Sequence, residues 1–189
     1  MYEAIGRSFI VTANEGEKLD VHEMRLGDAI DRGLIDPVRV ERLRDEFGDL
    51  GEHGIDRVYI STIDGDLDED GDIDQLCVQG GRSFSIIDET SGVTVWNSGA
   101  QIELMTGMLF PGLYNAGDER SDRAGPEPEG IAITRWGDQV FLALGLERTG
   151  VVMLYDITNP YAPVLNDLVA MNDGCAAPRG SCSSSARND

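Results

Sequence analysis

What the sequence lacks most is positive charge. Fifteen Lys and Arg, of which Lys18 is the sole lysine, face 35 Asp and Glu, and the formal net charge is −20. Nucleic-acid binding needs clustered cations to displace counterions from phosphate, so composition excludes that class of partner. Cysteine is also scarce. Cys77, Cys175 and Cys182 are odd in number and lack Cys-x-x-Cys spacing, which indicates neither a zinc site nor a disulfide framework, although Cys175 and Cys182 could bridge in an oxidising compartment. The two histidines, His22 and His53, stand outside any His-x-x-x-His or His-x-x-Glu context and read as surface residues. The longest apolar run, Val140 to Leu146, is far too short to span a bilayer, and the first residues lack the basic-then-apolar pattern of a signal peptide. Ser83 and Ser85 lie beside Gly80-Gly81 without forming a Gly-x-Ser-x-Gly elbow, so a serine hydrolase is not indicated. No residue is assigned a catalytic role.

What remains is an ordinary globular composition, 41% hydrophobic and 26% charged over 189 residues, enough for one domain or a piece of a larger one. Short runs rich in β-branched and aromatic residues recur between Gly, Asp, Asn and Pro. They are Ser8 to Ala13, Val58 to Ile63, Ser83 to Asp88, Val93 to Asn97, Ile131 to Trp136, Gln139 to Leu146, Val151 to Asp156 and Val164 to Val169, and they predict an all-β fold. One insertion, from about residue 19 to 49, is helical: Asp36 suits an N-cap, Pro37 the first turn, Gly48 the stop, and Val40, Leu43 and Phe47 form an apolar stripe. Trp96, Trp136 and Phe141 fall in strand patterns and are expected in the core. A weak repeat links residues 82–92 with 150–160, each a strand running into Asp88 or Asp156 with Thr two residues on, as in propellers. Two ordinary hairpins would look the same. From residue 172 apolar content nearly vanishes, and 172–189 is expected to be a disordered tail.

Seven acids crowd into the eleven residues Asp64 to Asp74. A hard cation such as calcium takes six to eight oxygens, and Asp at alternate positions followed by Gly for a sharp turn delivers them to one point. Asp66, Asp68 and Asp70 fill the first, third and fifth positions of such a loop, Gly71 the sixth, the Asp72 carbonyl the seventh and Asp74 the ninth. The twelfth is Cys77, where an EF-hand places a bidentate Glu. The expectation is a calcium loop between strands, with Asp66, Asp68, Asp70, Asp72 and Asp74 as its metal residues. A solvated acidic turn is the alternative. The remaining acids are dispersed, as on surfaces that keep proteins soluble in high salt.

The second constellation is Gly125-Pro-Glu127-Pro-Glu129-Gly130. Each proline extends the residue before it, so Glu127 and Glu129 are expected to share one side. They could bind a metal or a hydroxylated or cationic ligand, or act as acid and base. They could equally pair with Arg120, Arg123 or Arg148 to pin a loop. Asn14, Glu15, Glu147 and Arg148 at other strand ends complete the candidate ligand-binding set.

In order along the chain, Thr-Ala-Asn14-Glu15-Gly16, the loop Asp64 to Asp74, Gly80-Gly-Arg-Ser-Phe-Ser-Ile-Ile-Asp88, Arg120-Ser-Asp122, Gly125-Pro-Glu-Pro-Glu-Gly130, Gly145-Leu-Glu-Arg148 and Val152-Met-Leu-Tyr-Asp156-Ile-Thr-Asn-Pro160 resemble the choice-of-anchor I domain. This β-propeller family is related to mesenchyme-specific cell-surface glycoproteins of biomineralising animals, and the resemblance covers about Arg7 to Ala170. It implies a partial propeller over residues 1–171, located at the cell surface, in the periplasm or outside the cell, sometimes beside alkaline-phosphatase or nucleotidase-type domains. Complete domains of this type are longer, so the chain reads as a fragment whose partners include missing blades or a phosphatase-type neighbour. The expected function is a calcium-binding module for binding or scaffolding of an unknown ligand. The alternatives are a metal-assisted phosphoesterase or lactonase-like enzyme using Glu15, Glu127, Glu129 and Glu147, and a fragment without independent function.

Overall fold

The computed structural model describes residues 1–16, 22–48, 54–78 and 80–171. The expected tail, together with Cys175, Cys182, His53 and Lys18, lies outside them. In chain order the elements are β1 (Tyr2–Ala4), β2 (Arg7–Asn14), β3 (Glu23–Arg25), α1 (Leu26–Asp31), α2 (Pro37–Phe47), β4 (Tyr59–Ser61), β5 (Ser83–Asp88), β6 (Thr94–Asn97), α3 (Gln101–Leu109), β7 (Pro128–Trp136), β8 (Gln139–Leu146), β9 (Val151–Asp156) and β10 (Val164–Ala170), with short 3-10 turns at Ile55–Arg57 and Tyr114–Ala116.

Two four-stranded antiparallel sheets dominate, in the orders β1-β2-β5-β6 and β10-β9-β8-β7, and β3-β4 forms a small ribbon. Each large sheet is an up-and-down meander of the kind that makes a propeller blade, and among the described residues they do not close into a ring. The repeat seen in sequence has a structural counterpart. β5 and β9 are each the third strand of a sheet, and each ends in an Asp that holds the following turn. Asp88 accepts from the Ser91 N–H at 2.9 Å, and Asp156 accepts from the Thr158 N–H at 2.9 Å.

Alternation decides which face is buried. In β8 and β9 Val140, Leu142, Leu144, Leu146, Val151, Met153 and Tyr155 are buried, while the residues between them are half-buried on the opposite face. These meet Phe9, Phe84 and Ile86 of the first sheet in one core. The Phe84 ring lies 4.7 Å from Tyr155, edge-on, and 4.8 Å from Trp96. Such aromatic pairs add to the area they bury. Of the three aromatics expected in the core, Trp96 packs against it, Phe141 lies half-buried on the other face, and Trp136 is 81% exposed at the hairpin end.

The insertion is larger than its helical part. β2 pairs with β5 directly, from Phe9↔Asp88 to Asn14↔Ser83, so the described residues between 15 and 82 lie outside this sheet. This excursion has its own small core of Leu26, Ala29, Ile35, Val40, Ile60 and Ile73. Helix α2 starts as the sequence dictates: the Asp36 carboxylate accepts from the N–H groups of Val38 at 2.7 Å and Arg39 at 3.3 Å, Pro37 opens the first turn, and Gly48 at φ +79° ends it. Its apolar stripe is shorter than expected, with Val40 buried, Leu43 partly so and Phe47 54% exposed. Helix α3 carried no sequence signal, because it opens on Ala100 without a side-chain cap and contains Thr106 and Gly107.

Candidate functional site

The acidic loop belongs to the insertion. Its neck is closed by Ser61 N–H donating to the Cys77 carbonyl at 2.8 Å, by a bridge between Ile60 and Val78, and by Gln75 N–H donating to the Gly65 carbonyl at 3.0 Å. Only glycine fits at position 65, where a Cβ would stand 2.5 Å from the Gln75 carbonyl oxygen. Ile73 anchors the loop: its side chain is buried in the insertion core and its N–H donates to Leu34 at 2.7 Å.

Within the loop the carboxylates organise the backbone. Asp66 accepts from Asp70 N–H at 3.1 Å and Gly71 N–H at 3.0 Å, Asp74 from Leu67 N–H at 2.9 Å, and Asp70 from Asp72 N–H at 3.1 Å. This folding brings oxygens of Asp66, Asp68 and Asp74 within 4.8 Å of one another. Two oxygens on one calcium, each about 2.4 Å from it, are separated by no more than about 5 Å, so the cluster has the dimensions of a calcium shell. Asp70 and Asp72 stand outside that trio. The negative charge of Asp70, followed by desolvation and the charge of Asp74, pushes the Asp72 carboxyl above its ordinary value.

The second feature is a cavity of about 580 Å³ where the insertion, both sheets and the segment after α3 meet. Glu127 lies on its wall, buried and in a left-handed backbone conformation at φ +50°. Arg120 donates from Nε to its Oε1 at 3.0 Å and also from Nη2, while Arg148 donates from Nε to Oε2 at 2.8 Å. Burial would raise the Glu127 carboxyl, but the hydrogen bonds and charges of the two arginines outweigh it and hold the carboxyl below its ordinary range. Arg148 also pairs with Glu147 at 3.1 Å. Across the cavity Arg82 binds Glu103 at 2.8 Å and the Ser121 carbonyl at 2.9 Å. It passes over Gly125 at φ +68°, where a Cβ would come within 2.8 Å of its side chain.

A further group surrounds Tyr59. The guanidiniums of Arg25 and Arg123 lie 5.2 and 5.0 Å from its ring centroid, within cation–π range. Asp122, only 7% exposed, is 3.6 Å from both Arg25 and Arg57 through Oδ2. Its Oδ1 and the Nε of Arg123 have no hydrogen-bond partner.

Of the residues expected from sequence to bind a ligand, Glu15, Glu127 and Arg148 line the cavity. Glu147 stands beside it, with an oxygen within 4.8 Å of those of Glu15 and Glu127. Asn14 is on the sheet, where it donates to Ser83 at 2.9 Å and Ser85 at 2.8 Å. Glu129 is exposed while Glu127 is buried, because the register of β7 shifts between Pro128 and Gly130. The two glutamates therefore do not share one side, and Glu127 has the arginine partners weighed as the alternative. Sequence reading passed over Arg82, Glu103 and Tyr59. Gly125 was the available signal for Arg82, since a Cβ there would meet its side chain, whereas Gly80 leaves room for the backbone of Gly16.

The choice-of-anchor I domain model matches residues 1–160. Gigasin-3a of Magallana gigas is 32% identical over 114 residues, which is 54% of this chain and 40% of that protein. The chain thus spans well under half the length of this relative. No solved structure matches significantly. A match over most of the chain, carried by a fold of two propeller-like meanders, makes the protein a member of the choice-of-anchor I domain family.

Proposed function

We propose that the chain is a binding or scaffold module of the cell surface or extracellular space, in which calcium on Asp66, Asp68 and Asp74 braces the insertion and the cavity beside Glu127 takes the ligand. Membership of the choice-of-anchor I family points to an extracellular or surface module, and millimolar calcium outside the cell fills even weak sites. No helix among the described residues is long and apolar enough to cross a membrane. The observation that carries the reading is the continuity of loop and cavity. Tyr59 and Val78 line the cavity, and Ile60, next to Tyr59, bridges Val78 at the neck of the acidic loop. A cation that tightens the loop therefore stiffens the cavity wall. Partners follow from the second sheet, whose outer face carries Phe141, Val152 and Leu154 half-buried and Val164 and Val169 exposed, a surface suited to a further blade or a phosphatase-type neighbour.

Calcium titration followed by thermal unfolding tests this. Millimolar calcium raises the Tm, and Asp68→Asn removes most of the gain. An unchanged Tm in calcium would sink the reading. A second reading, a metal-assisted phosphoesterase, rests on the approach of Glu15, Glu127 and Glu147 oxygens within 4.8 Å. Against it, both oxygens of Glu127 are engaged by Arg120 and Arg148, which compete with any metal. Phosphomonoester or lactone hydrolysis abolished by Glu127→Gln would favour this alternative.

A further inference from the structure

The cavity lies at one end of the two sheets, and we infer that the opposite end docks on the surface of a zwitterionic lipid bilayer. In an up-and-down meander every second turn falls at the same end; here these are residues 5–6 and 89–93 in the first sheet, and 137–138 and 157–163 in the second. Contacts between the sheets put all four turns together. The Arg135 guanidinium donates to the Glu3 carbonyl, and the Phe9 and Tyr161 rings meet edge-on at 6.1 Å. The inference stands on this end alone and needs neither calcium on the acidic loop nor a ligand in the cavity.

The first argument is what stands on these turns. Turns ordinarily take Gly, Asn, Asp, Pro and Ser, yet each of the four carries, within it or next to it, a large apolar side chain in solvent: Ile5 63% exposed, Val93 59%, Trp136 81% and Tyr161 45%. Ile5 says most. Ile5 and Gly6 both have positive φ, +49° and +73°, in a two-residue hairpin turn that favours Asn-Gly. A β-branched residue is strained there, and an exposed side chain gains little packing to offset the strain. Such strain persists where a residue serves something beyond the fold.

The second argument selects the occupant. The four side chains stand on separate turns of two sheets, and a bilayer interface accepts apolar groups at any spacing, whereas a folded partner must match their arrangement. Indole and phenol rings are the side chains that settle at headgroup depth. Charges beside them come in both signs: exposed Arg7 and Arg135 suit lipid phosphate, and exposed Glu89 and Asp138 suit choline ammonium. That mixture matches a zwitterionic headgroup, while the net charge of −20 repels an anionic leaflet. Docked in this way, the protein turns its cavity away from the bilayer.

The test uses the full chain in EDTA with phosphatidylcholine vesicles at millimolar lipid, read by co-sedimentation and by tryptophan emission. Of the two tryptophans, Trp96 packs against the core, so a change in emission reports Trp136. Emission shifts to the blue and is quenched by lipids brominated high on the acyl chain. Trp136→Ala weakens vesicle binding by about tenfold and Ile5→Asn by about fivefold. Ile5→Asn also separates docking from folding, since Asn suits the left-handed turn and leaves the Tm unchanged or higher. No binding to the vesicles, binding undiminished in both variants, a blue shift that appears with rising protein concentration in the absence of lipid, or binding that requires phosphatidylserine would each overturn the inference. The third of these would assign the four turns to a second copy of the chain. Because EDTA removes calcium throughout, failure here leaves the calcium brace to its own titration, and failure of that titration leaves docking standing.

Discussion

At the scale of single residues, Glu127 concentrates the tension between backbone preference and side-chain chemistry. A non-glycine residue at φ +50° carries strain that persists only where its surroundings demand it. The demand comes from the two arginine pairs and from Glu147 N–H, which donates to the Glu127 carbonyl at 3.0 Å. Glu127→Ala should lose the pairs and keep the strain, costing roughly 3 kcal/mol, and Glu127→Gly should cost about 1 kcal/mol less, as read from urea unfolding. Equal losses would contradict the strain. The pH dependence has a definite sign. Because the folded-state carboxyl lies below the ordinary value of 4.5, its stabilisation is fully present above that pH and is lost as pH falls through the folded value. Thermal stability of the wild type should therefore drop more steeply below pH 4.5 than that of Glu127→Gln.

At the scale of elements, the insertion shows how local signals and close packing combine. Asp36→Ala removes the acceptor for two N–H groups of α2 and should cost about 1 kcal/mol, visible in the unfolding midpoint. Gly65→Ala acts differently. Its Cβ collides with the Gln75 carbonyl at the neck of the acidic loop, so it should reduce calcium-induced stabilisation more than it reduces Tm in EDTA. Asp72 gives a third check. Its raised carboxyl means that ionisation is penalised in the fold above the ordinary aspartate value and that the penalty fades as pH falls through the raised one. In EDTA, Asp72→Asn should raise Tm at neutral pH and have little effect in acid.

At the scale of the whole molecule, a net charge of −20 is spread over a surface whose arginines are drawn disproportionately to one cavity. Self-repulsion of this kind weakens with salt, because the Debye length shrinks from about 10 Å at 0.1 M to about 3 Å at 1 M. The Tm should rise with sodium chloride in EDTA, and calcium should add to it at constant ionic strength. A flat salt response would place the acids in local pairs and not in a general field. The repeat of a strand running into an Asp-held turn was legible from Ser83 to Asp88 and Val151 to Asp156, because an apolar strand stopped by such a turn writes its physics into a few neighbours, although β9 alternates in burial and β5 is buried on both faces. The exposure of Trp136 and Phe47 was not legible. Both obey the period of their element, and only the extent of the opposing layer decides whether a face is covered.

The sequence by itself determined the strands of both sheets apart from β1 (Tyr2–Ala4), which it did not signal, the start of α2 and the crowding of carboxylates between Asp64 and Asp74, since each depends on residues close along the chain. Tertiary structure decided the rest. It selected Asp66, Asp68 and Asp74 as the converging trio, separated Glu127 from Glu129 by a shift of register, and brought Arg82, Glu103, Asp122 and Tyr59 to the cavity from separate segments of the chain. Convergence across such distances depends on how sheets and insertion pack, and no local pattern encodes it.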